Sequence, residues 1–435
     1  MWNKKRIVVA IYIIISILSI FLFYRIFYTE QETITLGVFT GSAWKVPNPT
    51  AYRLYDGLIA DFRAKYPTYT VMYKSGIQAQ DYSERIAEDI LKSEEPDLFF
   101  ILPEDFTTFA SIGVLADLDV YIKNNKINTT KLYENALAAG IYENHQYALP
   151  FEVVPSLMFV NTTLLEELQA PIPDEHWTWD DLMKYALSAT KDTDKNGVLD
   201  TFGVNGWTWL DAAYSNKELL FDTSGTMALL DQDGVIEAVD FYLKLKNLTR
   251  NNIVPDFDSG RVLFCPFPYS SYRAYKYYPY SVQRFGDFKW KALNMPRGPK
   301  GQNASELKVL LIGMAKKAIN KKGVLELLEH LTLNEESAYR ILAYSQGLPA
   351  QKNIITTSRA EEILNHHISA SETPIDSYLL DALIKESVVV PRFKKHASAL
   401  EIATRSINSE QVQSTSSLKN FLSKLDHTIE SYIKE

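Results

Sequence analysis

Residues 192–200 read Asp192-Thr193-Asp194-Lys195-Asn196-Gly197-Val198-Leu199-Asp200, and the D-x-D-x-N-G spacing is that of the first half of a calcium-binding loop. Oxygens at alternate positions converge on one point when the chain turns at the glycine. Asp192, Asp194, Asn196 and Asp200 are therefore candidate ligands for a hard cation such as calcium. The bidentate Glu expected at the twelfth position is missing, Gly203 standing there. Asx turns, in which the same oxygens accept from backbone N–H groups, explain these residues without a metal. The sequence leaves both readings open.

Other reactive constellations are absent. No G-x-S-x-G elbow, H-E-x-x-H pair or phosphate-cradling glycine loop occurs, and the seven histidines are scattered apart from His366-His367. The single cysteine, Cys265, sits between Phe264 and Pro266 and reads as a small buried apolar residue, not a nucleophile. A carboxylate pair could in principle hydrolyse glycosides, but no motif supports an enzyme. A net charge of −8 argues against nucleic acid or an anionic surface as partner. With 26 Tyr and 7 Trp, some rings are expected to line a pocket.

Residues 33–39 have strand character. After the loop 40–50, Tyr55, Leu58, Ile59, Phe62 and Tyr66 recur at helical spacing until Pro67. A strand over 68–73, a helix opened by Asp81 and Glu84 as a capping box, and an apolar strand over 98–102 follow. This β-α-β-α-β order predicts a parallel sheet, with ligands beyond the carboxyl ends of its strands, at 40–44 and 103–106. Later segments predict strands at 147–150, 156–161, 262–264 and 308–314, and helices at 178–190, 232–246, 321–333 and 335–345. The chain's end reads as helical.

The N-terminus predicts a membrane anchor. Lys4, Lys5 and Arg6 precede the uncharged stretch 7–23, which as a helix would cover about 25 Å, near the lower limit for a span. The basic cluster would stay inside and the rest of the chain outside. No small-x-small cleavage site follows, and no cysteine lies nearby to carry a lipid. The expectation is one N-terminal transmembrane helix within residues 1–28, uncleaved, giving a single-pass cell-membrane protein with an extracytoplasmic C-terminal part.

The chain resembles the extracellular solute-binding proteins of ABC importers, family 1, in the carbohydrate or maltodextrin-type branch. Pro96-Asp97-Leu98-Phe99-Phe100, Gly113-Val114-Leu115-Ala116-Asp117-Leu118, Tyr147-Ala148-Leu149-Pro150 and Trp177-Thr178-Trp179-Asp180-Asp181-Leu182 carry the likeness. So do Met295-Pro296-Arg297-Gly298 and Tyr344-Ser345-Gln346-Gly347-Leu348-Pro349-Ala350, in the family's order. At Ile101 and Asp105 the sequence departs from the maltodextrin type, which carries a Trp and a basic residue there. The resemblance implies an α/β, two-lobed clamp of the type II periplasmic-binding-protein kind, without catalysis. Lobe 1 is expected to comprise 32–152 plus 295–345, lobe 2 153–294 plus 346–435, with passages near 152–155, 294–297 and 346–349. Expected partners are a carbohydrate, an oligosaccharide above all, and permease subunits of an ABC transporter. A surface receptor signalling its closed state to a membrane sensor kinase is the alternative.

Sugars offer C–H faces that pack on aromatic rings and hydroxyls that pair with carboxylates. On that chemistry Trp44, Glu104 and Asp105 are candidates at strand ends, and Glu152 at the first passage. The resemblance adds Trp207, Trp209 and Tyr269, in loops where sugar binders of this family place rings, with Trp207 and Trp209 on one face if extended. No cofactor is expected beyond structural calcium, which some members of the family hold at a similar loop.

Overall fold

The computed structural model describes residues 12–19, 32–124, 126–222, 224–249, 253–274, 288–366, 374–410 and 415–435. Two sheets organise it. The first has six strands, β1 (Glu32–Gly37), β2 (Tyr69–Tyr73), β3 (Leu98–Ile101), β4 (Ala148–Val154), β9 (Lys308–Met314) and β10 (Leu348–Pro349), in the order β10-β4-β9-β3-β1-β2. The second has four, β5 (Ser156–Asn161), β6 (Phe202–Val204), β7 (Val262–Pro268) and β8 (Trp290–Leu293), in the order β8-β5-β7-β6.

The predicted parallel unit is present. Ile34 stands opposite Val71 and Leu36 opposite Leu98, both in parallel register. Helix α1 (Ala51–Lys65) connects β1 to β2 and buries Leu54, Tyr55, Leu58, Ile59 and Phe62, the 3.6-residue stripe expected of a helix lying on a sheet. Helix α2 (Ala79–Lys92) differs at its start: it begins at Ala79, so Asp81 lies in the first turn and Gln78 makes no capping bond. Helix α3 (Trp179–Ala189) carries the capping box of Thr178 and Asp181 as predicted, and buries Trp179.

In β5, Leu157 and Phe159 join one core cluster while Met158 and Val160 join the other, so the four-stranded sheet is covered on both faces. The first cluster continues into the six-stranded sheet; the second is closed by α4 (Trp209–Ser215), α5 (Asp233–Asn247), α11 (His396–Ser409) and α12 (Thr415–Lys434).

The chain passes between sheets three times, and the passages meet at buried Ser305. Its Oγ accepts from the N–H of Ser156 at 2.9 Å and lies 3.1 Å from the Ser387 hydroxyl, while Val388 N donates to its carbonyl at 2.8 Å. The last passage is therefore not at 346–349: Leu348 and Pro349 pair with Val153 and Glu152 in the first sheet. Helices α9 (Ser358–Asn365) and α10 (Ser377–Glu386) still bury Leu364, Leu380 and Leu383 in the first cluster, and Val390 is the first later residue in the second. A short apolar Leu-Pro pair cannot tell a connecting segment from an edge strand.

The predicted transmembrane helix, and with it the anchor and the single-pass placement, is corrected by the structure. Among the described residues no helix is long and apolar enough to cross a membrane. Of the stretch 7–23, residues 12–19 form a helix that rises about 12 Å, against about 30 Å of bilayer hydrocarbon. Residues 7–11 and 20–23 lie outside the described residues.

Candidate functional site

Where β1 ends, the chain runs into the loop predicted to face a ligand. Thr40 N donates to Ile77 O at 2.7 Å, and Thr50 Oγ1 to Tyr344 O at 3.0 Å, so the loop is tied at both ends. Between them Trp44, half-buried, aims its indole across to β4, where Nε1 donates to Glu152 Oε1 at 2.7 Å. Sequence reasoning chose these residues separately, and the fold brings them together.

Glu152 is 3 % exposed and sits in a polar cradle. Burial pushes its carboxyl up, while hydrogen bonds from Trp44, Ser345 and the Gly347 N–H, and the Arg273 guanidinium, pull it back. Gly347 must be a glycine, since a Cβ there would fall 2.3 Å from Glu152 Oε1. Arg273 comes from the far side of the interface. It lies on α6 (Tyr269–Ala274), directly after β7 of the second sheet, and donates to the carbonyls of Leu342 and Ser345 at the end of α8 (Glu335–Tyr344). Gly41, Ser42, Asn48, Tyr55, Glu152 and Ser345 line a small hollow here, and burial holds the Tyr55 hydroxyl well above its usual range. Ser345, Gly347 and Arg273 were missed as functional residues, although the first two stand in the motif that carried the resemblance.

The other candidates are not in this group. Glu104 is exposed; Asp105 is half-buried and accepts from Ser83 Oγ at 2.6 Å. Burial pushes the Asp105 carboxyl up to about 6 despite that bond, with Glu104 adding to the rise. A carboxyl raised on folding contributes stability below its unfolded value near 4 that is lost as pH rises through about 6. Asp105→Asn, which can still accept from Ser83, should therefore raise the melting midpoint by several degrees at pH 8 and leave it unchanged at pH 4; an equal shift at both pH values would refute this.

Trp207 and Trp209 are 6 % and 1 % exposed, inside the second core cluster. The stretch is not extended: Thr208 caps α4 with Asp211, and Trp209 is the first helical residue. Trp207 meets Phe241 edge-on at 6.5 Å, and Trp209 Nε1 donates to Thr404 Oγ1 at 3.1 Å. Tyr269, 1 % exposed, starts α6 and packs 6.1 Å from Tyr272. It shares a short helix with Arg273.

Two clusters have the donors and spacing to hold a metal ion. In the predicted loop, carboxylate oxygens of Asp192, Asp194 and Asp200 lie within 4.8 Å of one another. Asn196 turns its amide to Asp194 Oδ2 at 2.8 Å, and Asp200 is held below the usual carboxylate range chiefly by the Thr193 hydroxyl. Asp117, Asp119 and His145 form the other, His145 Nδ1 lying 3.1 Å and 3.0 Å from the two carboxylates. No spacing in the sequence could have announced it, because His145 arrives from a separate hairpin.

Residues 47–338 match the family model for bacterial extracellular solute-binding proteins, well over half of the chain. The chain belongs to this family. Among curated relatives, the maltotriose-binding protein of Pyrococcus abyssi is 24% identical over 201 residues, 46% of this chain and 42% of that protein, so the chain aligns with less than half of its length. Among solved structures, the cyclic α-maltosyl-1,6-maltose binding protein of Arthrobacter globiformis is 13% identical with a TM-score of 0.73, covering 92% of this chain and 99% of that one. An ABC substrate-binding protein of Listeria monocytogenes, in complex with cycloalternan, is 19% identical with a TM-score of 0.67, covering 93% and 99%. These likenesses confirm the two-lobed α/β clamp. A solute-binding protein is not an enzyme.

Proposed function

We propose that the protein captures a carbohydrate, an oligosaccharide above all, between its two lobes outside the cytoplasm and delivers it to an ABC transporter. The observation that carries this is the Trp44–Glu152 pair, an aromatic ring hydrogen-bonded to a buried carboxylate at the strand ends beside the passage between lobes. A pyranose needs both surfaces at once. The names of the relatives point the same way, since those proteins are described by their binding of maltotriose, cyclic maltosyl-maltose and cycloalternan. Glu104 and Asp105 are proposed as outer polar contacts. A clamp transmits its state because ligand favours the closed form by as much as it binds that form better.

The test is a titration of the purified chain with linear and cyclic oligosaccharides, followed by Trp fluorescence. Micromolar binding, about −8 kcal/mol, is expected. A response confined to amino acids, peptides or phosphate esters would refute the carbohydrate reading.

For the loop at 192–200 we propose calcium as the ion. All-oxygen donors on a loop with Gly197 at φ +91° suit a hard cation better than zinc. Calcium should raise the melting midpoint, magnesium should do so less, and Asp194→Ala should abolish both effects; an unchanged midpoint would remove the ion.

A further inference from the structure

Two of the passages between the lobes run side by side, but only briefly. Leu307 N donates to Val388 O and Val388 N to Ser305 O, each at 2.8 Å, a single parallel bridge of Glu306 with Val388 among the described residues. One bridge keeps the segments together without a second to stop them turning. Arg392, four residues beyond, supplies further ties. Its guanidinium donates to Glu306 on the middle passage, Nη1 lies 3.3 Å from His396 Nδ1 at the start of α11, and its carbonyl accepts from Thr107 Oγ1. Thr107 belongs to the short helix Phe106–Ser111, whose Phe106 and Phe109 bury in the first core cluster, whereas Phe393 and Ala399 pack in the second. One residue thus touches a passage and both lobes.

These partners are themselves held in place. His396 stands between Phe221 and Phe393, with ring centres 5.4 Å and 5.3 Å away. Burial, with Arg392 beside it, brings the ring down to about 4, so near neutral pH it is uncharged and Nδ1 accepts. The Glu306 and Arg392 side chains are 19 % and 28 % exposed, shielded enough for their charge-assisted bond to outweigh a surface ion pair. The second lobe senses the pair as well: on α4, Asp211 feels the charges of Glu306 and Lys308, and Tyr214 those of Glu306 and Arg392. Arg392 lines no part of the hollow around Trp44 and Glu152.

We propose that Arg392 is a positioning residue of the clamp: it sets the angle between the lobes, and through that angle the affinity for ligand, from outside the ligand hollow. Bonds that favour one arrangement of the lobes raise the fraction of molecules able to hold the ligand, and apparent affinity scales with that fraction. The affinity half rests on the carbohydrate reading; the angle does not.

Small-angle scattering and fluorescence titration with oligosaccharides test this on the full chain. Arg392→Met, which keeps the stem and removes the charge, should let the lobes spread and raise the radius of gyration without sugar. It should weaken binding about fivefold, chiefly through faster dissociation. Arg392→Lys should recover part of both, since an ammonium can meet Glu306 but not His396 as well. Thr107→Val removes only the bond to the first lobe and should move both readouts the same way by less, which keeps the test open if Arg392→Met does not fold. Either readout unchanged would overturn the proposal, and a lowered melting midpoint beside it would mark Arg392 as a structural support. If the unmodified protein binds no sugar, the carbohydrate reading fails and the radius of gyration decides about Arg392.

Discussion

Arg273→Ala should destabilise the protein by about 3–5 kcal/mol, the cost of removing one partner of a buried charged group. Three losses coincide. The carbonyls of Leu342 and Ser345 lose a donor, the junction between α6 and α8 loses its link, and Glu152 is left buried without the cation that pulls its carboxyl down. The pH dependence separates the last loss from the others. A carboxyl raised on folding favours the native state at low pH, and this advantage fades as pH rises through its folded value. Without Arg273 the Glu152 carboxyl should move higher still, so the deficit should be larger at pH 8 than at pH 5. Arg273→Lys should recover part of it, since an ammonium restores charge but sits closer to the backbone than Nη2, the one nitrogen that donates to both carbonyls. Denaturant midpoints of the three proteins at both pH values measure this. A deficit under 1 kcal/mol for the Ala variant would show that Arg273 is peripheral to the interface.

Local signals in the sequence held in most places where one element generates them, although the Asp81–Glu84 capping box did not open α2. The stripe of α1, the capping box of α3, the break at Asn334 between α7 (Lys321–Leu333) and α8, and the D-x-D-x-N-G loop all depend on neighbours within a few residues. Trp44 and Glu152 were legible as separate candidates because strand ends and passages between lobes are places, not contacts. Their hydrogen bond, spanning 108 positions, was not. Arg273 was invisible for a related reason: one arginine in a tyrosine-rich stretch carries no pattern until α8 is packed against it. The tryptophans show the opposite failure. Rings in a loop look available, but Trp207 and Trp209 gain more by joining the second core than a loop position suggests. The uncharged N-terminal stretch is a third case, since hydropathy reports composition over a window, whereas only eight of those residues form a described helix.

Trp44→Ala should weaken oligosaccharide binding at least tenfold, about 1.4 kcal/mol, and should do so by two routes that Trp44→Phe separates. The ring supplies a flat apolar face for the C–H side of a sugar; Nε1 fixes the orientation of Glu152. Phenylalanine keeps the face and removes the donor. If ring contact dominates, the Phe variant should bind nearly as tightly as the unmodified protein. If orientation of Glu152 dominates, Phe and Ala should be equally weak, and the freed carboxylate should titrate at higher pH because one of the bonds holding it down is gone. Glu152→Gln supplies the complementary arm, keeping an acceptor for Trp44 while removing the charge. Its effect should not add to that of Trp44→Phe if both act through the same carboxylate. A folded Trp44→Ala protein with unchanged affinity would move the sugar site away from the first strand's loop.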